Sequence, residues 1–585
     1  MYSLKTGFQV DIMNPYITTI LCAAGFILIL AILILRNEHQ RKKYFLRMIR
    51  RIYGQVPDRE YEAGDLERIS HYYQKIKGDG FVIDDITWND LDMDRIYMLL
   101  NQTVSSPGED VLYAMLRKPL FSQEEVEKRE KLIDFFSTDV QKREKIQMLL
   151  STVGKTRLGS LADTIFAIND APKASLGIHL GMLAAMAASL AVLPLLPVYG
   201  FLLFIALGII NMVIYQAGKD HKIMEIYLDS FGSLLRMLTA ADEMETVSWP
   251  EVSGQMEAIR RGKKAFTGLR KRAFFLTGAN SGTDDFFQAI LDYVRMVFHI
   301  DILLYFSVMK EVQGKTDVII EMLDAMGELD ACISVASFRE ILPLSCRPEF
   351  ISGQKGQAAD KAELQVEDLY HPLIAEPVAN SMRASGGILV TGSNASGKST
   401  FLKNIAINTI LAQTVCTCTC SKYRAPFMKV MTSMALRDDL SGGESYFMVE
   451  IRSLKRILDE SKKPEPLLCI IDEVLRGTNT IERIAASSRI LYNLAKPHVL
   501  PFAATHDIEL SYILEGSYSN YHFSEEITDH EVVFNYLLKK GRATTRNAIR
   551  LLDMLGYDPE LVRAAKAAAT EFEQTGIWEH ICPNG

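Results

Sequence analysis

Cysteine and tryptophan are both scarce in this chain, which contains eight Cys and three Trp in 585 residues. Eight cysteines are too few for a disulfide scaffold at this length, so nothing in the sequence requires an oxidising compartment. An excess of positive charge is also absent, because 72 acidic residues outnumber 64 basic ones and give a formal net charge of -8. The balance excludes a protein that coats nucleic acid through its overall charge, but it leaves room for a local basic patch.

Apolar residues, in contrast, are abundant. The chain is 48% hydrophobic and 23% charged, which excludes disorder as the dominant state and allows more than one sizeable core. Its mean hydropathy of +0.06 is high for a soluble enzyme and low for a transporter with many spans. The composition therefore predicts a few membrane spans attached to a large water-soluble body.

The first predicted span is Tyr16 to Leu35, twenty residues without a charge, which is the length that a helix needs to cross a bilayer. Seven Lys and Arg residues follow between 36 and 51, whereas only Lys5 precedes the span. This asymmetry predicts that the following segment is cytoplasmic. A cleaved signal peptide is the alternative, but the apolar stretch is longer than a signal h-region and its charge bias is reversed.

A second apolar block extends from Leu176 to Tyr215 and is interrupted by the turn residues of 194–200. Its two halves of 18 residues would each reach about 27 Å as helices, close to the ~30 Å hydrocarbon core of a bilayer. Basic residues flank both ends, so we expect a hairpin with its ends in the cytoplasm. The predicted location is the cell membrane, with three spans and the N-terminus outside. A buried hairpin in a soluble protein is the alternative.

Seven basic residues crowd into 260–272, within a region of helical pattern. They are a candidate contact for phosphates or anionic headgroups, and a solvated helix face explains them equally well. The residues are Arg260, Arg261, Lys263, Lys264, Arg270, Lys271 and Arg272.

The pattern changes after a Gly, Gln, Ala and Lys linker at 353–360. Three apolar runs follow at 387–392, 467–472 and 499–506, separated by helical segments, which indicates a parallel sheet buried on both faces. The predicted fold class is α plus α/β, with an N-terminal transmembrane helix, a helical core and lever with an inserted transmembrane hairpin, and a C-terminal domain with a mostly parallel sheet. The predicted boundaries are 1–52, 53–172, 173–222, 223–352 and 353–585.

Residues 392–399 read GSNASGKS and satisfy the phosphate-loop pattern G-x-x-x-x-G-K-[ST] between a predicted strand and a predicted helix. In such a loop, backbone N–H groups and the helix N-terminus contact phosphates, Lys398 neutralises the β and γ phosphates, and the Ser399 hydroxyl takes a magnesium position. The motif predicts ATP as substrate and Mg²⁺ as cofactor. The predicted ATP-binding residues are Gly392, Ser393, Asn394, Ala395, Ser396, Gly397, Lys398, Ser399 and Thr400.

Two further elements follow predicted strands. The run LLCIIDE ends in two carboxylates. Asp472 is predicted to be a second magnesium ligand, and Glu473 is predicted to polarise an attacking water. His506 ends the next strand, where it is placed to sense or stabilise the γ-phosphate, although a structural histidine is the alternative. Glu473 and His506 are the predicted catalytic residues.

A Gly/Ser loop at 438–447 completes the predicted site. Its N–H and hydroxyl donors could meet a phosphate, and ATPases of the ABC type supply such a loop from the opposite subunit. We therefore expect a homodimer with composite active sites, while a plain turn is the alternative. The predicted in-trans residues are Ser441, Gly442, Gly443 and Ser445.

These motifs resemble the MutS family of DNA mismatch-repair ATPases. The resemblance covers about 363–573 and is carried by TGSNASGKST, DEVLRGTNT from Asp472, THDIEL from Thr505 and the Asp438-Asp439-Leu440 loop. It extends more weakly to 91–120 and 328–350. The resemblance implies a helical core and lever joined to a C-terminal P-loop ATPase, a dimer, and binding of mismatched or branched DNA.

The sequence also departs from that family. We find no match to its N-terminal mismatch-reading domain, and Pro377 to Asn380 stand where the family carries an aromatic adenine platform. ATP hydrolysis is therefore carried over and mismatch recognition is not. The leading hypothesis is a membrane-anchored ATPase coupled to DNA and in contact with the lipid bilayer. The alternatives are a membrane mechanoenzyme or transport-associated ATPase with no DNA role, and a non-hydrolysing scaffold that the Asp472–Glu473 pair argues against.

Three cysteines alternate in the run CTCTC at Cys416, Cys418 and Cys420. Alternate thiols on one face of an extended segment could bind a soft metal. Structural zinc sites, however, usually use C-x2-4-C pairs, so small buried side chains explain the run better.

Overall fold

The computed structural model describes twelve ranges of the chain. The predicted first span, Tyr16 to Leu35, lies outside them. The described residues are 36, 39–156, 161–166, 176–217, 221–269, 297–298, 300–351, 361–393, 396–434, 446–527, 532–543 and 548–580.

The N-terminal half is helical, as predicted, and we call its helices other than α9 and α10 the helical body. Its helices are α1 (39–52), α2 (Asp65–Ile76), α3 (Asp85–Asp90), α4 (Met93–Leu100), α5 (Ser106–Arg117), α6 (Gln123–Thr138), α7 (Val140–Ser151), α8 (Leu161–Phe166), α9 (Leu176–Val192), α10 (Pro197–Ala217), α11 (His221–Met244), α12 (Ser253–Ala265), α13 (Ile300–Val312) and α14 (Thr316–Ile341).

The helical body is built around α14, which is buried along most of its length and packs closely against α5. Small residues allow the approach, since a Cβ added at Gly327 would lie 2.4 Å from the Pro107 carbonyl oxygen. Close by, the buried Asp330 carboxylate accepts hydrogen bonds from the Val104 and Ser105 backbone N–H groups, at 3.1 and 2.9 Å. Burial raises the pKa of Asp330 to about 6, while these bonds oppose the shift. The crossing thus fixes both the distance and the register of the two helices.

The predicted apolar hairpin is a pair of antiparallel helices, α9 and α10, joined by a short turn at 193–196. Within the described residues, one stretch is long and apolar enough to cross a membrane, Pro197–Ile214, and 17% of it is buried inside the protein. Gly177–Val192 is apolar but shorter. A core helix of a soluble protein passes the same test of length and composition, so the membrane location of the hairpin stays a prediction.

The C-terminal part contains two sheets and the helices that cover them. A small four-stranded sheet has the order β1-β5-β2-β3, and a larger six-stranded sheet has the order β10-β9-β4-β8-β7-β6. The strands are β1 (Glu349–Phe350), β2 (Leu364–Leu369), β3 (Asn380–Ala384), β4 (Gly387–Thr391), β5 (Lys422–Ala425), β6 (Lys429–Ser433), β7 (Leu467–Asp472), β8 (Val499–Thr505), β9 (Tyr518–Ile527) and β10 (Val532–Lys540).

The three apolar runs predicted as buried strands are β4, β7 and β8, every residue of which is buried. They pair in parallel, and only the β9–β10 pair in the large sheet is antiparallel. The prediction of a mostly parallel sheet is confirmed. The helices of this part are α15 (Lys398–Val415), α16 (Tyr446–Glu460), α17 (Thr480–Leu494), α18 (Ile508–Ile513), α19 (Ala548–Met554) and α20 (Pro559–Thr575).

Replacing Gly327 by Ala should destabilise the helical body, because the added methyl group meets the Pro107 backbone carbonyl, which cannot rotate away. Overpacking of this kind costs about 1–3 kcal/mol, which outweighs the ~1 kcal/mol that Ala gains over Gly in a helix. The midpoint of urea-induced loss of helical circular dichroism should therefore fall. Gly254→Ala is the matched control, because it is also helical and has no atom within 4 Å of an added Cβ. Equal midpoints for the two variants would contradict the tight crossing.

Candidate functional site

The predicted site residues come together at one edge of the large sheet. Thr391 at the end of β4 is in register with Thr505 at the end of β8, and Ala504 is in register with Asp472 at the end of β7. Neighbouring strands lie ~4.8 Å apart. The phosphate-binding loop, the Asp472–Glu473 pair and His506 therefore leave the sheet side by side, where ligands bind in open α/β sheets.

The loop after β4 is described at residues 392, 393, 396 and 397, at its two ends. Gly392 and Gly397 have φ of +149° and +102°, conformations that residues with a Cβ rarely adopt, and α15 begins at Lys398. The Lys398 ammonium donates to the carbonyl oxygens of Gly392 and Ser393 at 2.9 and 2.7 Å. Burial lowers the pKa of Lys398, and Glu473 and Asp472 oppose that shift. Ser399 is half-buried and Thr400 exposed, while Asn394 and Ala395 lie outside the described residues.

Two buried oxygens at this edge have no hydrogen-bond partner among the described residues: Asp472 Oδ1 and Ser396 Oγ. Buried polar atoms are normally paired, so an unpaired carboxylate oxygen and hydroxyl at one edge indicate that the site is built to receive a polar ligand. Carboxylate and hydroxyl oxygens are the ligands that Mg²⁺ prefers. Asp472 thus offers an oxygen of the kind that Mg²⁺ prefers, and the magnesium role of Asp472 and Ser399 stays a prediction.

Glu473 has a left-handed backbone, with φ of +57°, immediately after β7. Such a conformation is strained for a residue with a side chain, and it turns the carboxylate out of the sheet. His506 Nε2 lies 2.8 Å from Glu473 Oε1, and Arg476 Nε lies 2.5 Å from Glu473 Oε2. Burial tends to raise the pKa of Glu473, but the His506 hydrogen bond and the charges of Arg476 and Lys398 bring it below the usual value. The carboxylate is thus ionised at neutral pH.

The sequence had not singled out Arg476, which stands inside the motif DEVLRGTNT, or Glu450, which follows the Gly/Ser loop. Glu450 on α16 accepts a hydrogen bond from the Leu475 backbone N–H, and Leu475 also has a positive φ, of +58°. Burial raises the pKa of Glu450, although hydrogen bonds from the backbone N–H groups of Leu475 and Arg476 oppose the shift. Glu450 therefore stabilises the strained turn that presents Glu473.

Tyr536 was also missed, and no local motif marks it. It lies in an irregularity of β10, where the register with β9 shifts between Phe534 and Leu538. Its φ is +53°, and its ring lies against the phosphate-binding loop, since a Cβ on Gly397 would sit 3.1 Å from Tyr536 Cδ1. The Asn380 amide holds the irregularity by donating to the Tyr536 carbonyl at 3.0 Å and accepting from the Leu538 N–H at 2.7 Å.

The Gly/Ser loop, with Ser441, Gly442, Gly443 and Ser445, lies outside the described residues, so its in-trans role stays a prediction. The described chain ends at Met434 before this loop. The Asp90 carboxylate of the helical body accepts hydrogen bonds from the Met434 backbone N–H at 3.0 Å and from the Thr432 hydroxyl at 2.6 Å. The helical body thereby fixes the strand end from which the loop departs.

The helical body also contacts both ends of α15. Near its start, Lys403 Nζ lies 2.9 Å from Asp92 Oδ2. Beyond its end, Arg339 of α14 donates to the Cys416 carbonyl and to the Thr417 hydroxyl, both at 2.8 Å. The same guanidinium also forms an ion pair with Glu130 of α6, whose Oε2 lies 2.8 Å from Arg339 Nη2. The helix that carries the phosphate-binding loop is thus fastened to the helical body at two places.

Comparison with known proteins gives matches in this part of the chain. Residues 388–573 match the family model described as MutS domain V. The DNA mismatch repair protein MutS of Aquifex pyrophilus is 30% identical over 308 residues, which cover 51% of this chain and 35% of that protein. MutS of Bacillus pumilus (strain SAFR-032) is 32% identical over 263 residues, 42% of this chain and 29% of that protein.

A human relative, MutS protein homolog 4, is 26% identical over 299 residues, which are 48% of this chain and 30% of that protein. The chain thus spans about a third of the length of the curated relatives that it matches. The family model covers the strands β4, β7, β8 and the site residues between them. The resemblance predicted from the motifs is confirmed for this part of the chain, which is similar to domain V of MutS proteins.

Proposed function

We propose that this chain is a membrane-anchored ATPase that binds Mg-ATP at the edge of the large sheet and hydrolyses it. The observation that carries the proposal is the convergence of Lys398, Asp472, Glu473 and His506 at one sheet edge, where the buried oxygens of Asp472 and Ser396 have no partner within the described ranges. A structural cluster would satisfy those oxygens internally. Two of the relatives are named DNA mismatch repair protein MutS.

In this proposal the triphosphate lies over the phosphate-binding loop. The N-terminus of α15 and the loop N–H groups favour its negative charge, and the Ser396 hydroxyl gains a partner. Lys398, which donates to two loop carbonyls, exchanges these bonds for the β and γ phosphates. Because the Lys398 ammonium is already buried, it loses little hydration when it binds phosphate.

The Asp472 and Ser399 side chains would hold Mg²⁺. A bound magnesium ion would neutralise phosphate charge and orient the terminal phosphate. Asp472 is suited to this because it is buried and has an oxygen without a partner among the described residues. Glu473, one residue later, points away from β7 as a consequence of its left-handed backbone.

Glu473 orients the attacking water and accepts its proton. The carboxylate is ionised, and each oxygen retains a lone pair beyond those used by His506 and Arg476. His506 thus acts first on Glu473, whereas the sequence had suggested direct contact with the γ-phosphate. It holds the carboxylate in place, and it lies within reach of charge that develops during phosphoryl transfer.

Tyr536 provides a stacking surface for the nucleotide base. Base–aromatic stacking needs one exposed ring face beside the phosphate site, and the Tyr536 ring is 44% exposed and adjoins Gly397. The segment Pro377 to Asn380 carries no aromatic residue of its own. Asn380, however, supports Tyr536 through two hydrogen bonds.

A second subunit would complete the site through the loop at 438–447. We infer a homodimer because ATPases of the ABC type supply a Gly/Ser loop of this kind from the opposite subunit. Hydrolysis would then depend on assembly of two chains.

The membrane location rests on the predicted span Tyr16 to Leu35 and on the α9–α10 hairpin. Fifteen large apolar side chains of the hairpin are exposed, far more than a soluble protein normally leaves in water. They are Ile178, Leu180, Leu190, Leu193, Leu195, Leu196, Val198, Tyr199, Phe201, Leu202, Leu203, Ile205, Ile209, Ile210 and Val213.

DNA binding is the proposal suggested by the names of the relatives, whereas the geometry favours a second candidate without DNA. Of the predicted basic patch, Arg261 pairs with Glu257 and Glu321 at 3.2 and 3.1 Å, and Lys263 with Asp242 and Glu245 at 2.7 and 2.6 Å. These two cations already have acidic partners, whereas Arg270, Lys271 and Arg272 lie outside the described residues. A membrane mechanoenzyme or transport-associated ATPase is therefore the alternative.

Steady-state phosphate release by the purified protein tests the proposed ATPase site. Glu473→Gln should lower kcat by about 10²–10⁴-fold, because it removes the proton acceptor. Lys398→Ala should lower kcat/KM by about 10²-fold or more, because it removes phosphate charge neutralisation. Tyr536→Ala should raise KM for ATP about tenfold and leave kcat nearly unchanged, since stacking acts equally on substrate and transition state.

Two exposed residues remote from the site serve as controls, Glu125→Gln on α6 and Tyr557→Ala, whose ring is 50% exposed. Both should have the parent rate. The rate per chain should rise with protein concentration if two chains complete each site. An unchanged rate in Lys398→Ala or Glu473→Gln would refute the site assignment.

The membrane proposal predicts that the full chain stays in the pellet after alkaline carbonate washing of the cell membrane fraction and needs detergent for extraction. A variant with Ile205, Ile209 and Val213 all replaced by Asn should lose hairpin insertion, because burying three amides in hydrocarbon is costly. Protease access to the 193–196 turn from the outer side reports insertion of the hairpin. Protection of this turn in sealed right-side-out vesicles would exclude the predicted topology.

Salt-titrated binding to duplex, branched and mismatched DNA separates the two candidate functions. A DNA-coupled ATPase should bind at least one form at low salt, lose affinity steeply as salt rises, and respond to ATP. The detergent-solubilised protein should be measured with and without ATP. If the protein bound none of the three forms at low salt, the DNA-coupled function would be refuted and the alternative, which has no DNA role, would remain.

A further inference from the structure

A group of three thiols lies where the helical body joins the C-terminal part. The Sγ atoms of Cys346, Cys418 and Cys420 all lie within 4.8 Å of one another, and those of Cys346 and Cys420 are 3.5 Å apart. Cys346 follows α14, while the other two follow α15 and precede β5. More than 70 residues of chain separate the two segments. The fold, and not local sequence, therefore brings the three sulfurs together.

The backbone holds the group in place. Cys346 and Cys418 exchange both backbone hydrogen bonds, at 3.1 and 3.0 Å, as an isolated antiparallel pair. Their side chains therefore leave the same face of this short ladder. The neighbouring Thr419 is fixed by Asn408 of α15, whose amide oxygen accepts from the Thr419 N–H at 2.6 Å. The positions of the sulfurs are thus determined by a rigid backbone.

We propose that Cys346, Cys418 and Cys420 bind one thiophilic divalent cation, such as Zn²⁺ or Cd²⁺, through three thiolates. A metal–sulfur distance of about 2.3 Å places ligand sulfurs about 3.8–4.0 Å apart, which falls inside the spread of this group. Soft thiolate ligands select cations of this class. Each thiol that binds the cation loses its proton to solvent, so the site releases three protons and changes no oxidation state.

Backbone N–H groups face two of the three sulfurs. The Tyr423 backbone N–H donates a hydrogen bond to the Cys346 sulfur. The Lys422 backbone N–H makes a corresponding bond to Cys420. Hydrogen bonds from backbone N–H groups to sulfur stabilise negative charge on the ligand, as second-shell groups do in metal sites.

The site has an entrance and an open position. Cys418 and Cys420 are fully buried, whereas Cys346 is half-buried, so a cation can arrive along the Cys346 side. Three protein ligands leave a fourth position of a tetrahedral ion for water. Cys416, the remaining member of the CTCTC run, lies apart, since its thiol donates to the Val126 carbonyl at 3.7 Å.

A bound cation would join the segment after α14 to the segment after α15. Arg339 already joins α14 to Cys416 and Thr417 there. The ion would add a strong crosslink between the helical body and the helix that carries the phosphate-binding loop. The site is independent of ATP hydrolysis, because it uses none of the residues of the nucleotide site.

Cd²⁺ titration of the reduced, chelator-treated full chain tests the proposal. We expect a cadmium–thiolate charge-transfer absorption that saturates at one ion per chain, with a rise in the thermal unfolding midpoint. Cys346→Ser and Cys420→Ser should weaken binding at least about tenfold. Cys416→Ala is the matched control and should retain both signals, since its sulfur lies outside the group.

We expect Cys346→Ser to fold, because Cys346 is half-buried and this position tolerates a hydroxyl. An unchanged circular dichroism spectrum would show that lost binding is not caused by misfolding. Cd²⁺ should displace Zn²⁺ from the Zn²⁺-loaded protein and produce the same absorption, because thiolates prefer the softer cation. The proposal would be overturned if Cd²⁺ produced no absorption, or if the absorption survived in Cys346→Ser. It would also be overturned if the only change on adding metal in air were a disulfide between Cys346 and Cys420.

Discussion

The architecture depends on burying one helix, α15, on all of its faces. From Phe401 to Val415 every residue except Lys403 is buried, although Asn404, Asn408 and Gln413 are polar. Such a helix must be covered by protein on every side and its amides must find partners. Asn408 bonds to Asn404 and Thr419, and Gln413 accepts from the Met428 N–H at 2.9 Å. The large sheet covers one side and the helical body the other, so the two parts of the chain are obliged to pack together.

That packing determines the chemistry at the start of the helix. Since α15 is packed on all sides, its N-terminus at Lys398 has a fixed position relative to the ends of β7 and β8. The strained backbone at Glu473 and Leu475 is maintained by neighbours, among them Glu450 and the Ala504 carbonyl, which accepts from the Glu473 N–H at 3.0 Å. Strain of this kind persists only where the surroundings over-determine it. The site is thus preorganised for charge on a ligand before any ligand binds.

The sequence predicted the elements with strong local signals. The strands β4, β7 and β8 were evident as apolar runs, and the phosphate-binding loop as a motif between a strand and a helix. Tyr536 could not be predicted, because its place depends on a register shift between β9 and β10 and on Asn380, more than 150 residues away. The pairing of Cys346 with Cys418 is equally non-local. The sequence identified His506 from its place after a strand. Its contact with Glu473 depends on the left-handed backbone at Glu473, which no residue type predicts.

The same contacts explain how the nucleotide site and the helical body can influence one another. Ser433 and Met434 lead into the loop that would meet the partner's nucleotide, and Asp90 binds the Met434 N–H and the Thr432 hydroxyl. Any movement of this strand end must either break those hydrogen bonds or carry α3 with it. Breaking them would leave the buried Asp90 carboxylate uncompensated, which is the costlier course. If nucleotide binding moves this strand end, α3 is therefore the element that would carry the movement into the helical body.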